Sequence, residues 1–265
     1  MSPGCVYLVG AGPGDPELLT LKALRLLQQA EIVVYDRLVS AEVMALVPAG
    51  VSRVFVGKAS GHHTLPQAEI NALLIRLAGG ARRIVRLKGG DPYIFGRGSE
   101  EALALAAQGI PFVVVPGITA GIGCGAAAGI PMTHRGLASG VRFVTGHSQE
   151  GKPLDLNWAS LADPDTTLVF YMATQNLAQI CAPLLQAGLA AETPAAVISC
   201  GTTARQSQQV ATLATLPACL KTAAPPPPCL VVIGRVVSLM AQLHAAVPVI
   251  PDPCAADSER EVRHA

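Results

Sequence analysis

A chain of 265 residues, 51% hydrophobic and only 14% charged, can bury a large core and is not a disordered protein. A formal net charge of +1 and 4% aromatic residues argue against a basic DNA-binding face and against stacking platforms for single-stranded nucleic acid. Seven scattered cysteines form no C-x-x-C pair and no zinc spacing with histidine, and Met1-Ser-Pro-Gly-Cys5 is too short and uncharged for a signal sequence, so reduced thiols in the cytoplasm are expected.

Val6–Val9 is a short apolar strand, followed by Gly10-Ala-Gly-Pro-Gly-Asp15 and a helix predicted over 18–29. A second strand, Glu31–Tyr35, ends at Asp36. This order imitates a dinucleotide fold, but Asp15 stands where the third glycine belongs and Pro13 lacks an N–H for a pyrophosphate. A tight turn that brings backbone close to another ligand fits better. Asp36 is an ion-pair partner of Arg37, a cap for the next helix, or a base at the carboxyl edge of a sheet. A third strand, Val54–Val56, leads to Gly57-Lys58, which places Lys58 at the same edge. His62 and His63 have no acidic or cysteine partners nearby and read as a solvated loop. Gln67–Gly79 is an amphipathic helix with Ile70, Leu73, Leu74 and Leu77 on one face.

The richest stretch runs from Arg86 to Glu101. A β-type run, Arg83–Leu87, enters it, and a helical run from Glu100 leaves it; four glycines, Pro92 and charges of both signs lie between. Gly89 and Gly90 expose backbone, and a loop at the carboxyl end of a strand is where α/β proteins bind ligands. From Arg53 to Arg97 there are eight Lys/Arg against two acids, which suggests an anionic ligand. Ile110–Thr133 is uncharged, with glycines at 117, 121, 125 and 129, but Pro111, Pro116 and Pro131 argue against a membrane span. It reads as a strand, Phe112–Val115, and a buried helix packed through glycine and alanine. His134 and Arg135 follow among apolar residues and need a partner, an anion or water.

Further strands are predicted at Val141–His147, Thr167–Met172, Ala195–Ser199, Gln206–Leu213 and Cys229–Gly234. Helices are predicted near Trp158 and over 177–187, 216–221 and 236–244. Gln149–Asp165 is a polar connection, Pro225–Pro228 a rigid spacer, and residues 248–265 a disordered tail. The composition shifts near residue 117, so two α/β domains are expected, 1–117 and 118–247, with the ligand in the cleft between them.

Eight segments carry a resemblance when taken together. They are Val9–Asp15, Val33–Val39, Val54–Lys58, Arg86–Glu101, Val115–Ala120, Gly129–Arg135, Val144–His147 and Leu168–Met172. In this order they resemble the tetrapyrrole methylase family. The resemblance implies a two-domain α/β homodimer, with no metal, that binds S-adenosylmethionine in the interdomain cleft. The implied reaction moves methyl groups to C2 and C7 of uroporphyrinogen III by way of precorrin-1. Precorrin-2 and S-adenosylhomocysteine result, for siroheme, cobalamin or haem d1 synthesis. It further implies that the cofactor lies against Pro13, Gly89, Gly90, Asp91, Ile94, Thr119, Ala120, Met172 and Gly201. Asp36 is then the proton acceptor, Lys58 the proton donor and Arg97 a further catalytic group, with Arg97, Glu100 and Arg135 against the macrocycle. The eight substrate carboxylates would account for the basic imbalance; Glu100 could instead serve only the start of its helix. Ala127 stands where the family usually has tyrosine, and the proline run is unusual but expected to lie away from the chemistry. No dehydrogenase–chelatase module precedes the motifs, so later steps of siroheme synthesis are not expected of this chain.

Overall fold

The computed structural model describes residues 4–57, 65–80, 83–147 and 154–246. Lys58, the His62–His63 pair, Gln149 and the 248–265 tail lie outside these.

The first half builds one parallel sheet from β1 (Cys5–Gly10), β2 (Ile32–Tyr35), β3 (Ser52–Phe55), β4 (Arg83–Lys88) and β5 (Phe112–Val115). The strand order is β3-β2-β4-β1-β5. Both faces of such a sheet are covered, so its central strands are apolar on both sides. Val9, Val33, Val85 and Leu87 pack on α1 (Leu21–Gln28) and α2 (Ala41–Ala45). Val6, Leu8, Val34 and Ile84 pack on α3 (Gln67–Ala78) and α4 (Gly98–Ala107). Each buried Val, Leu or Ile contributes about 1.5–3 kcal/mol. The chain leaves β1 toward β2 and leaves β4 toward β5, in opposite directions from neighbouring strands. Their carboxyl ends therefore form a topological switch point, where open α/β sheets bind ligands.

The second half begins with α5 (Ala120–Ala127), whose Cys124 joins the core of the other sheet. That sheet contains β6 (Gly140–Thr145), β7 (Thr166–Tyr171), β8 (Pro194–Ser199), β9 (Ser207–Thr212) and β10 (Cys229–Ile233), in the order β6-β7-β10-β8-β9. Only β6 and β7 run parallel; the other pairs are antiparallel. Helices α6 (Trp158–Leu161), α7 (Leu177–Gln186) and α8 (Leu216–Thr222) cover one face. Helix α9 (Met240–Ala246) ends the described chain.

Some element boundaries differ from the sequence reading. The helix expected over 18–29 is split: a 3-10 turn at Pro16–Leu18 precedes α1, and the Thr20 hydroxyl caps α1 by accepting from Ala23 N at 3.1 Å. The helix expected at 236–244 likewise opens as a 3-10 turn, Arg235–Leu239. The five-residue α2 is too short to leave a periodic signal; its start is marked only by Ser40, which accepts from Val43 N. Among the described residues no helix is long and apolar enough to cross a membrane.

Candidate active site

Three glycine turns meet at the switch point. Gly12, in the loop after β1, exchanges backbone hydrogen bonds with Gly90, in the loop after β4 (2.7 and 3.2 Å). A Cβ on Gly10 would strike the backbone of both Gly117 and Gly90, so only glycine lets these loops touch. Gly90 itself needs positive φ (+68°). Asp91 fixes the third loop: its Oδ2 accepts from Gly117 N at 3.1 Å and its Oδ1 from Tyr93 N at 2.8 Å.

The second half closes on this edge from the other side. Pro13 packs against Gly123 of α5, and Asp15 N donates to Thr202 Oγ1 at 3.2 Å, beside Gly201. Thr119, the N-cap residue of α5, gives that helix no side-chain cap. The Tyr171 hydroxyl stands in: it accepts from Gly121 N and shares a hydrogen with Thr119 Oγ1, both at 2.7 Å. Burial pushes the pKa of the Tyr171 hydroxyl up. Its ring lies 4.9 Å from that of Phe95 in the central loop. Pro13, Gly90, Asp91, Thr119, Ala120 and Gly201 are thus brought to one edge by short contacts across the two halves, and Met172 directly follows Tyr171. Ile94 follows directly in the Asp91 turn, and Gly89 packs on Leu38.

Backbone strain marks the same places. Among the described residues, five non-glycines have left-handed φ: Phe95, Arg97, Met172, Cys200 and Thr202. All five belong to the central loop, to the turn after β7 or to the turn that holds Gly201. Such residues persist only where surroundings over-determine them, and they cluster at ligand sites.

The charged candidates behave differently from one another. Asp36 follows β2, one-quarter exposed, with Oδ1 accepting from Leu38 N (3.1 Å) and Oδ2 from Arg86 (3.2 Å). Its partner is therefore Arg86 rather than Arg37. Arg97 opens α4 and makes two 2.8 Å bonds to Glu100 on the exposed surface. That pairing holds the Glu100 carboxyl low and the Arg97 guanidinium high. Glu100 thus bonds a side chain and does not cap the helix backbone. His134 and Arg135 are exposed, not enclosed by apolar groups, so the burial argument for a partner fails. Arg135 has no ion-pair partner among the described residues and remains available to an anion.

Two sequence expectations are corrected here. Two of the eight basic residues between 53 and 97 are consumed inside the protein and so do not add to a free basic surface. Arg86 and Lys88 are buried against Glu101, Arg53 donates to Val47 O, and Arg83 approaches Glu31. The proline run does not lie apart from the site. Pro228 O accepts from Cys200 N at 2.9 Å and Pro226 O from Ser199 Oγ, which fixes the backbone leading into Gly201. Glu101, Tyr171 and Thr202 escaped the sequence reading. Arg86 and Lys88 in register on an otherwise apolar strand were the one available sign of a buried acid. A separate cavity of about 410 Å³, lined by Asp163, Gly188, Glu192 and Arg235, holds none of the candidate residues. The strained turns and joined glycine loops are the better guide to the chemistry.

Comparison with known proteins supplies the family. Residues 5–217 match the model for "Tetrapyrrole (Corrin/Porphyrin) Methylases". The chain belongs to the tetrapyrrole methylases. It is 55% identical over 240 residues to the siroheme synthase of Azotobacter vinelandii, covering 91% of this chain and 52% of that protein. The siroheme synthase of Methylococcus capsulatus is 54% identical, with 91% and 51% covered. The chain thus spans about half the length of these curated relatives. Among solved structures, the uroporphyrin-III C-methyltransferase of Thermus thermophilus superposes with a TM-score of 0.76 and 42% identity, over 89% of this chain and 100% of that one. A second structure of that enzyme is complexed with S-adenosylhomocysteine. A cobalt precorrin-4 methyltransferase gives the same TM-score at 26% identity, over 88% of this methylase and 95% of that chain. The fold is therefore the two-sheet α/β fold of this family.

Proposed function

We propose that this tetrapyrrole methylase transfers methyl groups from S-adenosylmethionine to C2 and C7 of uroporphyrinogen III, by way of precorrin-1, and yields precorrin-2. The observation that carries the reading is the joining of strained turns and glycine loops from both halves at one sheet edge, in a chain 42% identical to a uroporphyrin-III C-methyltransferase. The identity of 42% against 26% favours this substrate over a later corrinoid, since the fold itself does not separate the two.

The residues fit an adenosylated amino acid. Half-buried Pro13, Gly89, Gly90, Asp91, Ile94 and Ala120, buried Thr119 and Gly201, and exposed Met172 offer backbone polar groups and small or apolar surfaces. These would hold the cofactor, whose sulfonium supplies an already activated methyl group. The protein's own task is alignment and exclusion of water. Asp36 takes the proton that leaves the macrocycle after methylation, and Lys58 returns one where needed. Arg97, released from Glu100, and Arg135 pair with substrate carboxylates; Arg suits this because its planar fork matches a carboxylate. We place the domain boundary at residue 117, between β5 and α5, the division between the two sheets. The free thiols at Cys5, Cys124, Cys181, Cys200, Cys219 and Cys229 suit the cytoplasm. Exposed Leu21 and Leu103 suit burial in a homodimer, which sedimentation would measure. The product would serve siroheme, cobalamin or haem d1 synthesis.

The test is anaerobic incubation with uroporphyrinogen III and methyl-labelled S-adenosylmethionine, followed by mass spectrometry. The proposal expects a gain of two methyl groups. Cofactor binding without transfer would reassign the substrate to a later corrinoid.

A further inference from the structure

Beneath the site lies a buried set of charges. Glu101 in the first turn of α4 is fully buried, and Arg86 and Lys88 on β4 are 3% exposed. Strand alternation explains the placement: Ile84, Arg86 and Lys88 point to the α3/α4 face, and Val34 pairs with Arg86 in register, so Asp36 follows on the same side. Glu101 Oε1 accepts from Arg86 Nε (3.0 Å), Lys88 Nζ (2.9 Å) and Gln67 Nε2 (3.3 Å). The remaining guanidinium nitrogens are also committed. One donates to Leu87 O (3.0 Å) and toward Val34 O (3.5 Å), and the other to Asp36 Oδ2 (3.2 Å).

Two cations thus face two anions, and Asp36 is the member that reaches the surface. Burying such a set costs several kcal/mol per ion, and apolar residues of equal volume often serve stability as well or better. Stability alone therefore does not explain the arrangement. Geometry does: Arg86 is fixed along its whole fork and presents one N–H to one oxygen of Asp36, while Leu38 N holds the other oxygen. The carboxylate is thereby held at both oxygens while its side chain stays one-quarter exposed.

We infer that Arg86, anchored by Glu101, is a positioning residue that holds the Asp36 carboxylate in its working orientation. This rests on the reading of Asp36 as proton acceptor. Lysine at position 86 would keep a cation beside Glu101 but has a single nitrogen and cannot also reach Asp36 in a fixed direction. The experiment is a double-mutant cycle of Arg86→Lys and Asp36→Asn in the full chain. It reads kcat and KM for methyl transfer, with S-adenosylhomocysteine affinity by calorimetry. Arg86→Lys should lower kcat by about 10- to 100-fold, the scale of a misplaced catalytic group, and leave KM and S-adenosylhomocysteine affinity within about twofold. In the Asp36→Asn background it should change kcat by less than about twofold, because the group it positions is gone. Unchanged kcat in Arg86→Lys, or an effect that multiplies in full with that of Asp36→Asn, would overturn the inference. An Asp36→Asn enzyme with wild-type kcat would instead remove the reading of Asp36 on which it rests. Glu101→Gln provides a second route if Arg86→Lys does not fold. It keeps the shape but weakens the anchor, so kcat should fall by a smaller factor, again only where Asp36 is present.

Discussion

Tyr171 offers the sharpest test of how β7 holds the start of α5 at the candidate cofactor site. Its hydroxyl is the outside cap of α5, bonded at 2.7 Å to both Gly121 N and Thr119 Oγ1. Tyr171→Phe removes that oxygen and nothing else. The ring contacts with Phe95 at 4.9 Å and Phe143 at 5.9 Å remain. Each lost hydrogen bond is worth about 0.5–1.5 kcal/mol, and a helix N–H left without a partner raises the cost, so about 2–3 kcal/mol is expected in total. For a domain of this size that lowers Tm by roughly 4–10 °C. The cost is local to Thr119 and Ala120, so S-adenosylhomocysteine affinity should also fall by about 5- to 30-fold. Differential scanning calorimetry and isothermal titration read the two effects. A Tm within about 1 °C of wild type would refute the capping role. A large Tm drop with unaltered affinity would detach this joint from the cofactor site.

Other perturbations separate the remaining roles. Arg97→Ala should raise the uroporphyrinogen KM by about tenfold or more while S-adenosylhomocysteine still binds, since among the described residues the Arg97 guanidinium pairs with the exposed Glu100 alone; unchanged steady-state kinetics would take Arg97 out of the site. Asp36→Asn should reduce kcat by about 10²–10⁴ with little change in binding. Should kcat and affinity both stay at wild-type values, Asp36 is only the partner of Arg86. Gly201→Ala places a Cβ 2.5 Å from Cys124 Sγ and should cost about 1–3 kcal/mol by overpacking. Adding Cys124→Ala should recover part of that loss in thermal melts, and no recovery would point to a different source of strain.

How far the sequence revealed this structure depends on the range of the signal. Period-two and 3.6-residue patterns are local, so the strands of both sheets and helices such as α3 were legible to within a few residues. The glycine loops were legible too, because Gly10, Gly90 and Gly117 are needed wherever backbone meets backbone. Long-range pairings were not. Glu101 reads as one of two adjacent acids at a helix start, and nothing local says that Glu100 faces water while Glu101 meets Arg86 and Lys88 in the core. The charge count between residues 53 and 97 overstated the free charge by Arg86 and Lys88 for the same reason, since a count ignores partners. The Pro225–Pro228 run looked remote because its contact with Cys200 arises only from the antiparallel pairing of β8 with β10. Strain at Met172 and Cys200 left no compositional trace, because neither residue type announces a left-handed backbone.

The positions that receive the methyl groups decide between uroporphyrinogen III and a later corrinoid as substrate. Carbon-13 NMR of the product formed anaerobically from uroporphyrinogen III and methyl-13C S-adenosylmethionine would locate them. Two labelled methyls are expected, on the quaternary carbons C2 and C7 of precorrin-2. Label at other ring positions, or uroporphyrinogen III returned unlabelled by enzyme that binds S-adenosylhomocysteine, would contradict that expectation.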